Sequence, residues 1–352
     1  MKKNSVKILS LAASAVALLS VIFVSVKLCT LPYNSSDSTG KTVRVPAGAS
    51  VRATGNSLKS EHLIRSELLF YFAARYPAAR KILMGSSEAF MLKSGVYRIS
   101  PSMNLNEILK VLSSGNQEYI RVTVPEGLTV SKIGMIMEEA GVCSAADFKE
   151  ASKNPELLEK LNVRAESFEG FLFPDTYFLT PLMQASSVIE TMVENFFEKF
   201  RQVTNAENIP ESKILDTVIL ASIIEREYRI ASEAPLISSV FNNRLKHNIG
   251  LYSCATLEYI ITEIEGREHP DVITYKDIEI DSPYNTYKWA GLPPGPISNP
   301  GLVALNAAVN PALTNYFYFR LVDPEKGNHV FSKTFSNHIE NAHSYNTKKS
   351  GY

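Results

Sequence analysis

The stretch 220-LASIIEREYRIASE-233 carries two acids, Glu225 and Glu227, behind a run that is apolar in almost every position from Ile214 to Ile224. A helix that is apolar all round belongs in an interior, where a carboxylate is costly unless it is paired or used. Wound at about 3.6 residues per turn, Ile214, Val218, Ala221 and Ser222 share the face of Glu225, and Glu227 falls on the opposite side. The two acids are therefore not a pair. Desolvation along that stripe should raise the pKa of Glu225 and leave it partly protonated near neutrality, the state a general acid needs. The same carboxylate could instead form an ion pair with Arg226, Arg229 or Arg244 at the helix end, and spacing alone leaves both readings open.

Other chemistries are poorly supplied. No G-x-S-x-G elbow supports a catalytic serine. Cys29, Cys143 and Cys254 are too few and too scattered for a disulfide framework or a zinc knuckle, and they read as free thiols. His329, His338 and His343, with Glu340, lack the H-E-x-x-H spacing, so neither metal nor cofactor is expected. Lysine plus arginine equals aspartate plus glutamate at 36 each, which leaves no basic footprint and argues against a nucleic-acid partner.

Around the acid lie segments suited to a sugar. After 239-SVFNNRL-245 comes 283-PYNTYKWAGLPPGPISNPG-301, where Tyr284, Tyr287 and Trp289 flank prolines and glycines too stiff for a mere linker. Aromatic faces that stack on sugar rings and amides that bond hydroxyls are what a carbohydrate cleft requires. Upstream, 169-EGFLFPDTYFL-179 leads into a helix whose Val188, Ile189, Met192, Phe196, Phe197 and Phe200 read as core.

These residues need positioning elements. Lys2, Lys3 and Lys7 precede an uncharged run of about nineteen residues, long enough to cross a bilayer, with Lys27 at its end and no A-x-A cleavage site. This reads as an uncleaved anchor with a cytoplasmic tail at 1–7, a span at 8–26 and the rest of the chain on the far side of the membrane. A Ser-, Thr- and Gly-containing linker covers 27–42. An internal repeat follows: 43-VRVPAGASV-51 and 122-VTVPEGLTV-130 each predict a strand, a Pro and Gly turn, and a Ser or Thr cap for the next helix. Between them, 92-LKSGVYRISPSMNLNEILKVLSSG-115 predicts a strand through Tyr97, a cap at Asn104 or Asn106, inward Leu105, Ile108, Leu109 and Leu112, and a stop at Gly115. This module, 43–118, resembles a LysM-like fold, which implies glycan binding; its pattern is equally compatible with simple packing. The fold class expected is α+β, with this small module followed by a larger mixed catalytic domain at 119–350, which carries short strands such as 316-YFYFRLV-322.

In order along the chain, SGVY, EGFLFPDTY, SIIEREYRIASE, SVFNNRL, YNTYKWAGLPPGPISNPGLVALNAAVNP, YFYFRLVD and GNHVFSKTFSNH resemble the signatures of the MltG (YceG-like) endolytic murein transglycosylases, from about Val43 onward. The resemblance implies a single-pass inner-membrane enzyme with a periplasmic or extracytoplasmic catalytic domain. It would cleave between N-acetylmuramic acid and N-acetylglucosamine in nascent peptidoglycan strands and leave 1,6-anhydro ends. It implies Glu225 as the single acid and base, since the attacking hydroxyl belongs to the substrate and no second carboxylate is required, unlike in ordinary glycosidases. Substrate contacts are implied for Asn243, Ser253, Tyr284, Asn285, Thr286, Tyr287, Leu292, Pro293, Pro294 and Asn299. Peptidoglycan synthases are implied as partners.

The chain departs from the family pattern at 251-LYSCATLEY-259, where Tyr252, Cys254 and Ala255 stand at positions usually held by glutamine, aspartate and proline. Glu258 is a candidate to compensate. Two other classes stay open: a hydrolase using water with Asp281, Glu233 or Glu258 as second carboxylate, and a non-catalytic glycan-binding scaffold.

Overall fold

The computed structural model describes residues 2–86, 88–323 and 325–341, with side chains from residue 13 onward. The chain divides into two compact units, Met1–Tyr119 with Thr180–Leu182, and Ile120–Leu179 with Met183–Tyr352.

The first unit runs α1 (Lys2–Leu28), β1 (Lys41–Val45), α2 (Val51–Ser60), α3 (Glu67–Arg75), α4 (Pro77–Met84), β2 (Gly95–Ile99) and α5 (Leu105–Ser114). β1 and β2 pair antiparallel with Val43 opposite Tyr97. Val43, Val45, Leu58, Phe70 and Tyr97 close a core with the inward face of α5, whose Leu105, Ile108, Leu109 and Leu112 are all buried. Asn104 caps α5 in a reciprocal box with Glu107, and Gly115 ends it in the left-handed conformation. The expected span at 8–26 falls within α1, but part of it lies where side chains are outside the description. Among the described residues no helix is long and apolar enough to cross a membrane.

The second unit contains β3 (Ile120–Thr123), α6 (Val130–Glu139), α7 (Ala145–Ala151), α8 (Pro155–Lys160), β4 (Thr176–Leu179), α9 (Ala185–Phe200) and α10 (Ile214–Glu227). It continues through α11 (Ala234–Lys246), α12 (Cys254–Tyr259), α13 (Tyr275–Ile278), α14 (Leu302–Val309), β5 (Tyr318–Asp323) and β6 (Asn328–Ser332). Among the described residues strands pair in antiparallel twos, β3 with β4 and β5 with β6 in this unit, so the architecture is mixed α+β. β5 starts later than the pattern suggested, leaving Tyr316 and Phe317 ahead of it.

The two copies of the repeat fold alike. Val43, Val45, Val122 and Val124 are buried, Gly48 and Gly127 both adopt φ of 75°, and Ser50 and Thr129 accept from Ala53 and Lys132 N–H groups. A side chain at either glycine would strain the turn that aims the strand at its helix.

α10 is the centre of the second unit. Every residue from Val218 to Ile224 is buried, with α11, α12 and α14 packed around the helix. Ser222 escapes the cost of burial because its hydroxyl donates to Ile219 O and accepts from Ile297 N–H at 3.0 Å. The glutamates emerge where this buried run ends.

Candidate active site

Glu225 and Glu227 point into different surroundings. Glu225 Oε2 accepts from the Gly301 N–H at 2.9 Å and Oε1 from the Tyr228 hydroxyl at 3.2 Å. Gly301 is the residue just before α14, so this carboxylate sits at a helix N-terminus, a favourable place for negative charge. Burial pushes its pKa up to about 7, against the opposing Gly301 bond, with Glu126 adding like charge.

Glu227 lines a cavity of about 580 Å³, and Glu225 is not among its lining residues. Ser253 Oγ donates to Glu227 Oε1. Burial drives the pKa of Glu227 upward, helped by Glu258 and opposed by the Ser253 bond and by His329 and Arg244.

The walls of this cavity come from three distant segments. Tyr252 arrives from the turn before α12 and Cys254 from the first turn of that helix, Tyr287 from the Y-N-T-Y loop, and Tyr318 and His329 from the β5–β6 hairpin. Arg244 stands at the back, its guanidinium donating to the Phe317 and Leu251 carbonyls and lying 5.5 Å from the ring centres of both Tyr252 and Tyr318. His329 is held by Glu233, which accepts from its backbone N–H at 3.1 Å and bonds its Nδ1 at 2.7 Å. Tyr252 adopts φ of 49°, the left-handed region, while its N–H bonds Thr286 O.

The residues expected to contact substrate do not all meet at one place. Ser253 and Tyr287 meet at Glu227, Ser253 by its hydrogen bond and Tyr287 as part of the wall. Thr286 stands behind them, bonding Ser253 N–H at 3.1 Å and Thr256 Oγ1 at 3.0 Å. Asn285, Asn299 and Asn243 instead hold backbone. Asn285 donates to Ile278 O and Ile280 O, both at 2.8 Å, and Asn243 to Thr314 O and Tyr316 O. Asn299, fully buried, joins Leu128 O, Leu172 N–H and Glu169. Tyr284 packs on Tyr259 at 5.2 Å between ring centres, and Pro293 is buried. Leu292 and Pro294 line a separate cavity of about 450 Å³ beside Trp289 and Asp281.

The departures from the family pattern lie on the cavity wall. Cys254 Sγ lies 3.1 Å from Tyr287 Oη, and desolvation at the cavity wall raises its pKa. Glu258 is engaged by Arg226 at 2.7 Å and lies 3.5 Å from His269. It is not a lining residue, though it bears on Glu227 as a like charge. His338 stacks against Tyr318, and His343 lies outside the described residues.

Sequence reasoning passed over Glu227, Tyr252, Tyr318 and His329 as site residues. The available signal was the second acid of S-I-I-E-R-E-Y, set about 200° from the first on the helix.

A half-buried acid on a cavity walled by aromatic rings and a pinned guanidinium is the equipment of a glycan-cleaving enzyme. The YceG-like family model matches residues 43–344, and the chain belongs to that family. Over 338 residues it is 30% identical to the endolytic murein transglycosylase of Bacillus subtilis (strain 168), covering 90% of this chain and 88% of that one. It is 27% identical over 348 residues to the endolytic murein transglycosylase of Streptococcus pneumoniae serotype 2 (strain D39 / NCTC 7466), covering 88% of this chain and 59% of the other. The crystal structure of a YceG-like protein from Listeria monocytogenes matches with a TM-score of 0.55 at 30% identity, covering 86% of this chain and 98% of that one.

Proposed function

We propose that the protein cuts peptidoglycan strands internally as a lytic transglycosylase, a carbon–oxygen lyase, with Glu227 as its acid and base. The observation that carries the assignment to Glu227 is its carboxyl, half-buried and with its pKa pushed up by desolvation, on the cavity that Tyr252, Tyr287 and Arg244 line.

Protonated Glu227 gives its proton to the oxygen linking N-acetylmuramic acid to N-acetylglucosamine. The C1–O bond breaks, the leaving sugar departs as an alcohol, and positive charge spreads over C1 and the ring oxygen. The Glu227 carboxylate then takes the proton of the muramoyl C6 hydroxyl as its oxygen closes on C1. A 1,6-anhydro ring forms and the acid is regenerated. No water is consumed, so no second carboxylate has to hold one. Ser253 occupies Oε1 and fixes the orientation of the other oxygen, while the tyrosines offer faces for sugar rings.

Glu225 remains the second reading, favoured by a pKa pushed up to about 7. Mass spectrometry of peptidoglycan digested by wild type, Glu225→Gln and Glu227→Gln separates the cases. Anhydro products lost only in Glu227→Gln support the assignment, and loss only in Glu225→Gln transfers the role. Reducing ends from the wild type would indicate a hydrolase.

The anchor at 8–26 belongs to the same proposal. It is supported by the uncharged run and by the exposure of Val16, Leu19, Val21 and Val24 around α1. It implies an inner-membrane protein with a cytoplasmic N-terminus, a catalytic unit outside, and peptidoglycan synthases as neighbours. The first unit, two antiparallel strands with helices between and after them, is read as a LysM-like glycan holder. Protease protection of the catalytic unit in intact cells, lost on permeabilising the envelope, would support this topology; its persistence in permeabilised cells would refute it.

A further inference from the structure

The cavity beside Glu227 holds more positive charge than an acid-catalysed cut requires. Four arginines line it, Arg226, Arg229, Arg244 and Arg320, and Glu227 is the only carboxylate among its described lining residues. Two of the four are already occupied: Arg226 by Glu258 at 2.7 Å, and Arg244 by two carbonyls and two tyrosine rings. Arg229 and Arg320 are exposed, and neither has an ion-pair partner among the described residues. Beside them His338 is packed between Tyr318 and Phe335, at 5.4 and 6.3 Å between ring centres, and its buried Nδ1 has no hydrogen-bond partner among the described residues. This imidazole nitrogen, beside the positive charge of Arg320, is a buried polar atom left unsatisfied among the described residues.

We infer that Arg229, Arg320 and His338 form an anion subsite of this cavity, which takes an oxyanion carried by the glycan strand next to the bond being cut. The inference rests on the transglycosylase reading for its ligand. Two groups on a peptidoglycan strand have this chemistry, the carboxylates of the peptides on muramic acid and the phosphate at an unfinished strand end. Guanidinium forks suit either. Such a contact, distant from the breaking bond, would hold the strand in register and select charged strands over neutral ones.

Calorimetry on the full-length protein tests this with three probes: N-acetylmuramoyl dipeptide, inorganic pyrophosphate and neutral chitobiose. Binding of one anionic probe that weakens about tenfold in Arg229→Gln and in Arg320→Gln is expected, with chitobiose unaffected. Arg320→Lys should retain part of the affinity, which separates lost charge from misfolding. The probe that responds identifies the source of the anion. Failure of both anions to bind, or equal binding by wild type and the glutamine variants, overturns the subsite. Anion binding by a wild type that releases no anhydro products would instead count against the transglycosylase reading and leave the subsite standing.

Discussion

Glu225 and Glu227 stand two residues apart on α10, yet Glu225 accepts from the Gly301 N–H ahead of α14 while Glu227 accepts from the Ser253 hydroxyl before α12. One carboxylate is placed to steady a helix end and the other to face a cavity. Their substitutions should therefore differ in kind. Glu227→Gln should lower the rate of anhydro-product release about 10²–10⁴-fold with the melting temperature little changed. Glu225→Gln should lose about 1–2 kcal/mol of stability, read by denaturant unfolding, and keep turnover close to wild type.

Ser253→Ala should move the alkaline limb of the pH profile. The Ser253 hydroxyl donates to Glu227 and so favours its charged form. Without that bond the pKa rises further, the acid stays protonated to higher pH, and the limb shifts upward. The freed carboxyl also loses its fixed orientation, so kcat should fall about tenfold at the optimum. A pH profile of kcat/KM with the limb unmoved or lowered would contradict the Glu227 assignment.

Asn299→Ala removes one side chain that satisfies Leu128 O, Leu172 N–H and Glu169 at once. Those buried groups would be left without a partner, at a cost of about 2–4 kcal/mol in urea unfolding. A loss of activity without loss of stability would show that Asn299 contacts substrate instead.

Glu169 should give the fold a dependence on pH. Burial pushes its pKa up to about 8 from 4.5, against hydrogen bonds from Val130 and Asn299. The folded state thus holds a proton that the unfolded chain releases above about pH 4.5. Stability from this group is fully present below that pH, declines as pH rises, and levels off above about pH 8. Glu169→Gln, which cannot ionise, should flatten that decline in midpoints measured from pH 5 to 8.

Much of the local structure was legible because its causes are short-range. The valine, glycine and Ser or Thr spacing of the repeat specifies strand, turn and cap within nine residues, and Ser50 and Thr129 both cap as that spacing requires. The stripe Leu105, Ile108, Leu109 and Leu112 is buried as helical periodicity demands, and so are Phe196 and Phe200 of α9, with Phe197 half-buried against the same core. The apolar run of α10 likewise announced a buried helix with acids at its end.

What the amino-acid order could not decide was which acid meets the cavity and which polar residues face outward. The helical wheel separates Glu225 from Glu227, but a wheel has no knowledge of what packs on each side. That depended on the turn at Tyr252 and on the β5–β6 hairpin, about 90 to 100 residues further along the chain, which together bring Tyr318 and His329 to Glu227. Asn243, Asn285 and Asn299 have the side chains of sugar ligands, and they spend them on buried carbonyls of their own chain. An amide bonds a hydroxyl and a carbonyl equally well, so its role belongs to whichever partner the tertiary structure presents.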